Sequence, residues 1–244
     1  MVWFQPHFRG ATAQTDTVPG TTTIEATPFD YDFEISGRYW LGARADNGVG
    51  ARVRYWQWEH LAARAVSFDE VVDLFHRIEL ATLDAELTQD WQLGAATLRV
   101  GGGLRYLRLN QQYGATVNDP FGPPERLRYR QSFEGIGPTI SAEWLRPIGL
   151  NLSAYAQVRG AVTFGERNER LSYTFSGLDF TISRTGVDEV ISVGELGVGL
   201  QADLGPLFIR GGYEGQIWWN TGGPNGGGDG MGLHGFSIGA GLIY

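Results

Sequence analysis

Charged residues spaced two apart recur along this 244-residue chain, among them Arg52 and Arg54, Asp84 and Glu86, and Asp32 and Glu34. A spacing of two puts both side chains on one face of a β-strand, so the members of a pair work in the same compartment. Three kinds of chemistry use groups placed in this way. Asp84 and Glu86 share a strand face like the acid and base of a glycosidase. A histidine beside carboxylates can activate water, and His60 followed by Asp69 and Glu70 offers the starting point for an outer-membrane type of hydrolase. Opposite charges facing each other across a narrow passage can select solutes or brace the space they line.

The third chemistry has the most residues behind it. Arg38, Arg44, Arg52, Arg54, Arg99, Arg105, Arg159 and Arg210 stand against Asp32, Glu34, Asp84, Glu86, Glu143, Glu195, Asp203 and Glu214, so the two signs nearly balance. Two opposite charges about 4 Å apart attract by roughly 4 kcal/mol at an effective dielectric near 20, before desolvation is counted. All 19 basic side chains are Arg, which keeps its charge when desolvated and forks onto carboxylates. In such company Asp84 and Glu86 pair with Arg rather than catalyse. His7, His60, His76 and His234 lack metal-ligand spacing, and no G-x-S-x-G or phosphate-binding loop precedes a helix. The chain is therefore expected to be no enzyme and to need no metal or cofactor. Gly226-Gly-Gly-Asp229 is like one unit of a calcium-binding repeat, which needs tandem copies.

These charges are carried by segments that alternate apolar and polar residues with period two: Val2–Arg9, Asp30–Arg44, Val49–His60, Phe75–Thr88, Ala95–Asn110, Arg128–Leu145, Asn151–Gly165, Glu189–Leu204, Leu207–Trp219 and Leu233–Tyr244. That predicts about ten strands in one domain, with eight or twelve as alternatives, many of them longer than strands of soluble sheets. Asp46-Asn47-Gly48, Gln92-Leu93-Gly94, Arg146-Pro147-Ile148-Gly149 and Gly205-Pro206 read as tight turns. Between them run long connections: Gly10–Phe29, Leu61–Leu74, Gln111–Leu127, Glu166–Asp188 and Asn220–Gly232. Short turns at one end and long loops at the other predict an all-β, closed antiparallel transmembrane barrel with its turns in the periplasm. Within the loops, Ser67-Phe68-Asp69-Glu70 has capping-box spacing for a short helix, and Leu171–Phe175 with Leu178–Ile182 reads as a small hairpin beyond the membrane.

The apolar parity is assigned to lipid. In Asp30–Arg44 it carries Tyr31, Phe33, Ile35, Tyr39 and Leu41, and in Glu189–Leu204 it carries Leu196 and Leu200, while Glu195 and Asp203 face a polar lumen. Sliding a segment by one residue would put Arg into lipid at about 2–4 kcal/mol each near the midplane. Tyr39, Tyr55, Trp91, Trp144, Trp219 and Tyr244 fall near strand ends, where interfacial girdles lie. Ile78 and Leu80 have the opposite parity to Leu83, Ala85 and Leu87, which predicts a bulge near Thr82, and Pro138 predicts a bulge or local break. Gly101, Gly103, Gly197, Gly199, Gly239 and Gly241 either make room in the lumen or permit strong curvature.

Composition closes off other classes. A formal net charge of -8 argues against nucleic acid, the absence of Cys excludes disulfides, and no run of about 18 apolar residues could form a transmembrane helix. Met1–Pro6 lacks the basic start and apolar stretch of a signal peptide, and Val2, Phe4, Pro6 and Phe8 already alternate, so a leader upstream of the chain is expected.

Three stretches, "FEISGRYWLGARADNGVGARVRYWQWEH", "SFEGIGPTISAEWLRPIGLNLSAYAQVRGAVTFGE" and "GLHGFSIGAGLIY", with "LDAELTQDW" between them, resemble the pore-forming major outer-membrane proteins of the Legionella type. The resemblance runs from about Phe33 to Tyr244, rests on strand patterning, and implies an outer-membrane pore with no site residues carried over. Expected partners are outer-membrane lipid, the barrel-assembly machinery reading the last strand, and ions or small polar solutes. Acidic residues in the loops, Asp69, Glu70, Asp119, Glu125, Asp188, Glu189 and Asp229, predict a mild preference for cations. The competing reading is a non-conducting structural or adhesive barrel that works through its loops.

Overall fold

The computed structural model describes residues 1–8, 12–15, 25–67, 71–118, 123–175, 177–222 and 230–242. Among them every regular element is a strand: β1 (Val2–Phe8), β2 (Thr12–Thr15), β3 (Glu25–Pro28), β4 (Glu34–Arg44), β5 (Val49–Ser67), β6 (Val71–Leu93), β7 (Ala96–Asn118), β8 (Glu125–Gly149), β9 (Leu152–Phe175), β10 (Leu178–Leu204), β11 (Leu207–Trp219) and β12 (Gly230–Leu242). Ten of these close an antiparallel ring in which neighbours in sequence are neighbours in space, with β1 set between β12 and β4. Val2 faces Ser237 on one side and Ser36 on the other. β2 and β3 form a separate two-stranded sheet that the sequence did not announce.

The ten predicted segments correspond one to one with the ten ring strands. Their tight ends are turns that use left-handed backbone, at Gly48 (φ 83°), Gly94 (φ 63°) and Gly205 (φ 71°). The β8–β9 turn sits two residues later than predicted, on Leu150 (φ 49°) and Asn151 (φ 62°).

The outward face carries two partial rows of large side chains, an upper and a lower ring, that climb around the barrel with the tilt of the strands. Tyr39, Tyr55, Leu83, Tyr106, Ile136 and Phe164 face one another in register from β4 to β9, and nearer the turns Trp91, Leu98 and Trp144 do the same. On β6 the two rings are Leu83 and Trp91. Eight steps of about 3.4 Å on a strand tilted about 40° give about 21 Å, close to the roughly 25 Å apolar band of outer-membrane barrels. Between them Leu87, Val158, Leu196, Val198 and Leu200 are exposed on the outside, as a surface solvated by lipid must be.

Above the upper ring the polarity inverts. The next outward row is Gln57, Ala81, Arg108, Glu134, Glu166 and Asp188. On the inside of the same strands lie Trp56, Trp58, Ile78, Leu80, Leu107, Leu109 and Phe133, all buried. Strands of 23 to 27 residues in β6 to β10 thus leave the bilayer and continue as a water-solvated barrel with an ordinary apolar core.

This inversion corrects two expectations. The β5–β6 and β6–β7 ladders run without a shift through Thr82, so Ile78 and Leu80 change company because the surroundings change, not because of a bulge. Much of the predicted loops Leu61–Leu74, Gln111–Leu127 and Glu166–Asp188 is strand. Ser67 and Val71 belong to strands, while residues 68–70 of the predicted helix lie outside the described residues. Pro138 leaves the β7 ladder intact and interrupts pairing with β9 between Ile136 and Thr139, a local break at the side where its N–H is missing. The predicted hairpin is the tip of β9 and β10, where Leu178 faces Phe175.

Candidate functional site: the charge network across the lumen

Within the bilayer zone the inward parity brings the predicted charges together. Five pairings of these charges are direct cross-strand neighbours: Arg54 with Asp84, Asp84 with Arg105, Arg52 with Glu86, Arg159 with Glu195 and Arg99 with Glu143. Arg105 donates from Nε to Asp84 Oδ1 at 2.5 Å and from Nη2 to Oδ2 at 2.9 Å, while Arg54 Nε reaches Oδ2 at 2.9 Å. Glu195, from the far wall on β10, accepts from Arg54 Nη2 at 3.0 Å and from Arg105 Nη2 at 2.6 Å. Arg159 on β9 lies 3.2 Å from Glu86 and 3.6 Å from Asp84 on β6. Opposite walls are therefore tied to each other, and Asp84 and Arg105 have no solvent exposure.

Further pairs flank this centre. Arg38 on β4 donates to Glu214 on β11 at 2.6 Å, and its guanidinium lies 5.5 Å from the Trp56 ring. Arg210 sits 3.5 Å over the Tyr155 ring and 3.4 Å from Glu143. Nearest the turns, Arg44 and Arg99 both hold Asp90, at 2.7 Å each. Asp203 accepts from Gln201 at 2.8 Å. Of the sixteen charges read from the sequence as lumen candidates, Asp32 and Glu34 stand apart: both are exposed at the loop end, Asp32 before the strand begins. Asp90 was missed, although it continues the inward parity of Asp84, Glu86 and Thr88 on β6.

The inward glycines do not leave a passage. A Cβ on Gly103 would lie 1.9 Å from the Ala85 carbonyl oxygen, and one on Gly199 would lie 2.2 Å from that of Gly211, so these positions serve close approach of curved strands. Beside the others stand neighbouring side chains: Ser141 at Gly101, Gln157 at Gly197, Trp40 at Gly239 and Phe208 at Gly241. A cavity of about 10 Å³ lies among Arg52, Arg54, Glu143, Arg159 and Glu195, room for about one water.

Above the charges the apolar core is capped by two polar segments folded into the mouth. Phe29 and Tyr31 are buried against Phe8, His76 and Tyr113. Burial raises the Tyr31 phenol above its ordinary pKa, so it stays protonated and donates to His76 Nδ1 at 2.8 Å. The other ring nitrogen is then the donor to Gln111 Oε1 at 3.2 Å, and Gln111 and Gln131 both donate to the Thr221 carbonyl, at 2.6 and 2.7 Å. His60 is buried, stacked on Trp58, with no hydrogen-bond partner on either ring nitrogen among the described residues. Asp69 and Glu70, its proposed partners, lie outside the described residues, as do Asp119, Asp229 and Tyr244. Among the described residues no group of His, Cys, Asp and Glu is placed to hold a metal.

A family model described as the Legionella pneumophila major outer membrane protein precursor matches residues 2–225. The chain belongs to this family. It is an integral outer-membrane protein, and the apolar belt between its aromatic rings is the surface that meets lipid. No curated protein and no solved structure matches the chain.

Proposed function

We propose that this family member is a barrel closed at rest, whose work at the cell surface is done by its outer face and loops, and that it has no catalytic activity. The observation that carries this reading is the Glu195 carboxylate, which reaches from β10 to Arg54 on β5 and Arg105 on β7. A solute passing this level would have to separate charges that are buried, and removing one partner from a buried pair costs about 3–5 kcal/mol. A second barrier stands above it, the apolar layer of Trp56, Trp58, Trp218, Leu107 and Leu109. Ten strands support the reading, since eight leave an interior just filled by side chains and sixteen or more leave a channel.

A second reading, a gated pore, draws on one feature. Arg159 is held less tightly than its neighbours, at 3.2 and 3.6 Å, and borders the small cavity. Its movement would open a narrow charged passage of the kind expected from the sequence. Efflux of a small neutral sugar from vesicles carrying the inserted chain separates the two. The closed barrel gives efflux no faster than empty vesicles, and fast efflux at neutral pH favours the pore.

A further inference from the structure

The outer faces of β6 to β10, above the upper aromatic ring, line a concavity of about 750 Å³. Its walls are polar: amides from Asn110, Gln112 and Asn168 and hydroxyls from Ser132, Thr181 and Ser183. Arg130 on β8 and Arg170 on β9 stand directly opposite each other in it, both exposed. Like charges in that relation destabilise a sheet. Neither has an ion-pair or hydrogen-bond partner among the described residues, in contrast to Arg77 on the same rim, which is held by Glu59 and Glu79. The acids in the lining are engaged too: Glu79 by Arg77, and Glu169 by the Tyr129 hydroxyl at 3.1 Å. Arg126 and Arg128 continue the cationic edge along β8, exposed and on the same outward parity.

We infer that this concavity binds the anionic saccharide of an outer-leaflet glycolipid. Two guanidiniums facing each other without an acid are matched by a phosphate or carboxylate, to which each forks with two parallel hydrogen bonds, and the surrounding amides and hydroxyls match sugar hydroxyls. Position selects the source. The six residue steps from Phe164 to Arg170 set the pair about 16 Å above the upper ring, at about 3.4 Å a step and 40° tilt. That height is beyond the acyl chains and level with the sugars of a glycolipid whose chains lie on Ile136, Ile140 and Phe164 below. The site opens sideways over the leaflet, on the barrel's flank, and is independent of whether the lumen conducts.

The test is native mass spectrometry of the full chain in detergent, titrated with a rough lipopolysaccharide bearing a phosphorylated inner core, with its dephosphorylated form and with that core oligosaccharide freed of lipid. The phosphorylated glycolipid is expected to bind best. R130Q/R170Q is expected to weaken it by about tenfold or more, as loss of charged hydrogen bonds implies. R146Q, at the turn end, is expected to leave binding unchanged, and heat-modified gel mobility confirms that each variant is folded. Equal binding of the dephosphorylated lipid, or an unaffected R130Q/R170Q, overturns the site. Equal binding of the free oligosaccharide overturns the assignment to a glycolipid.

Discussion

Arg105 offers the sharpest perturbation of the charge network. It is fully buried, and its guanidinium serves Asp84 at 2.5 and 2.9 Å and Glu195 at 2.6 Å. Arg105→Met keeps most of the volume and removes the charge, which leaves two buried carboxylates short of a partner. Removal of one member of a buried pair costs about 3–5 kcal/mol. Both acids keep Arg54, at 2.9 and 3.0 Å, so the lower end, about 3 kcal/mol, is expected. Much of that loss is the uncompensated carboxylate, so adding Glu195→Gln is expected to recover about half of it. Urea unfolding in phosphatidylcholine vesicles, followed by the fluorescence of the eight Trp residues, measures both changes. A loss below about 1 kcal/mol for Arg105→Met, or a double variant as unstable as the sum of the two single ones, would refute a network that ties the walls together.

Three further outcomes follow from the same geometry. Gly103→Ala is expected to destabilise the barrel strongly, because its Cβ would meet a backbone oxygen at 1.9 Å, while Gly102→Ala, with its nearest atom at 3.9 Å, is tolerated; the same urea titration compares them. Leu200→Arg is expected to cost about 2–4 kcal/mol or to block insertion, whereas Gln57→Arg, one row above the upper ring, is near neutral, as folding yields in vesicles will report. Tyr31→Phe removes the donor to His76 and is expected to cost about 1 kcal/mol and to expose the mouth, read as faster amide exchange at Gln111 and Thr221.

The strands and the lipid face were legible because a bilayer enforces strict alternation: Leu196, Val198 and Leu200 outward and Glu195 inward follow from parity alone. The upper half was harder. Ile78 and Leu80 carry a valid strand pattern, but parity has no label for which side is wet, and that changes at the membrane boundary. Reading one rule along the whole strand made their burial look like a bulge, and made polar outward residues such as Gln112 and Asn168 look like loop. The charge network was legible as a set of sixteen candidates, fourteen of them drawn into the barrel wall or its rim. Which charge meets which was not, since Glu195 finds Arg105 across the lumen and no periodicity links strands that are not neighbours. Tyr31 was assigned to lipid with the rest of its segment, yet it is buried in the mouth, because the strand begins only at Glu34 and the chain before it folds inward.

Conductance across a planar bilayer tests the closed lumen most directly. With the chain inserted at neutral pH, the current is expected to remain at the bare-membrane level up to moderate voltages, with at most brief openings. Long-lived ohmic steps of uniform size would contradict it.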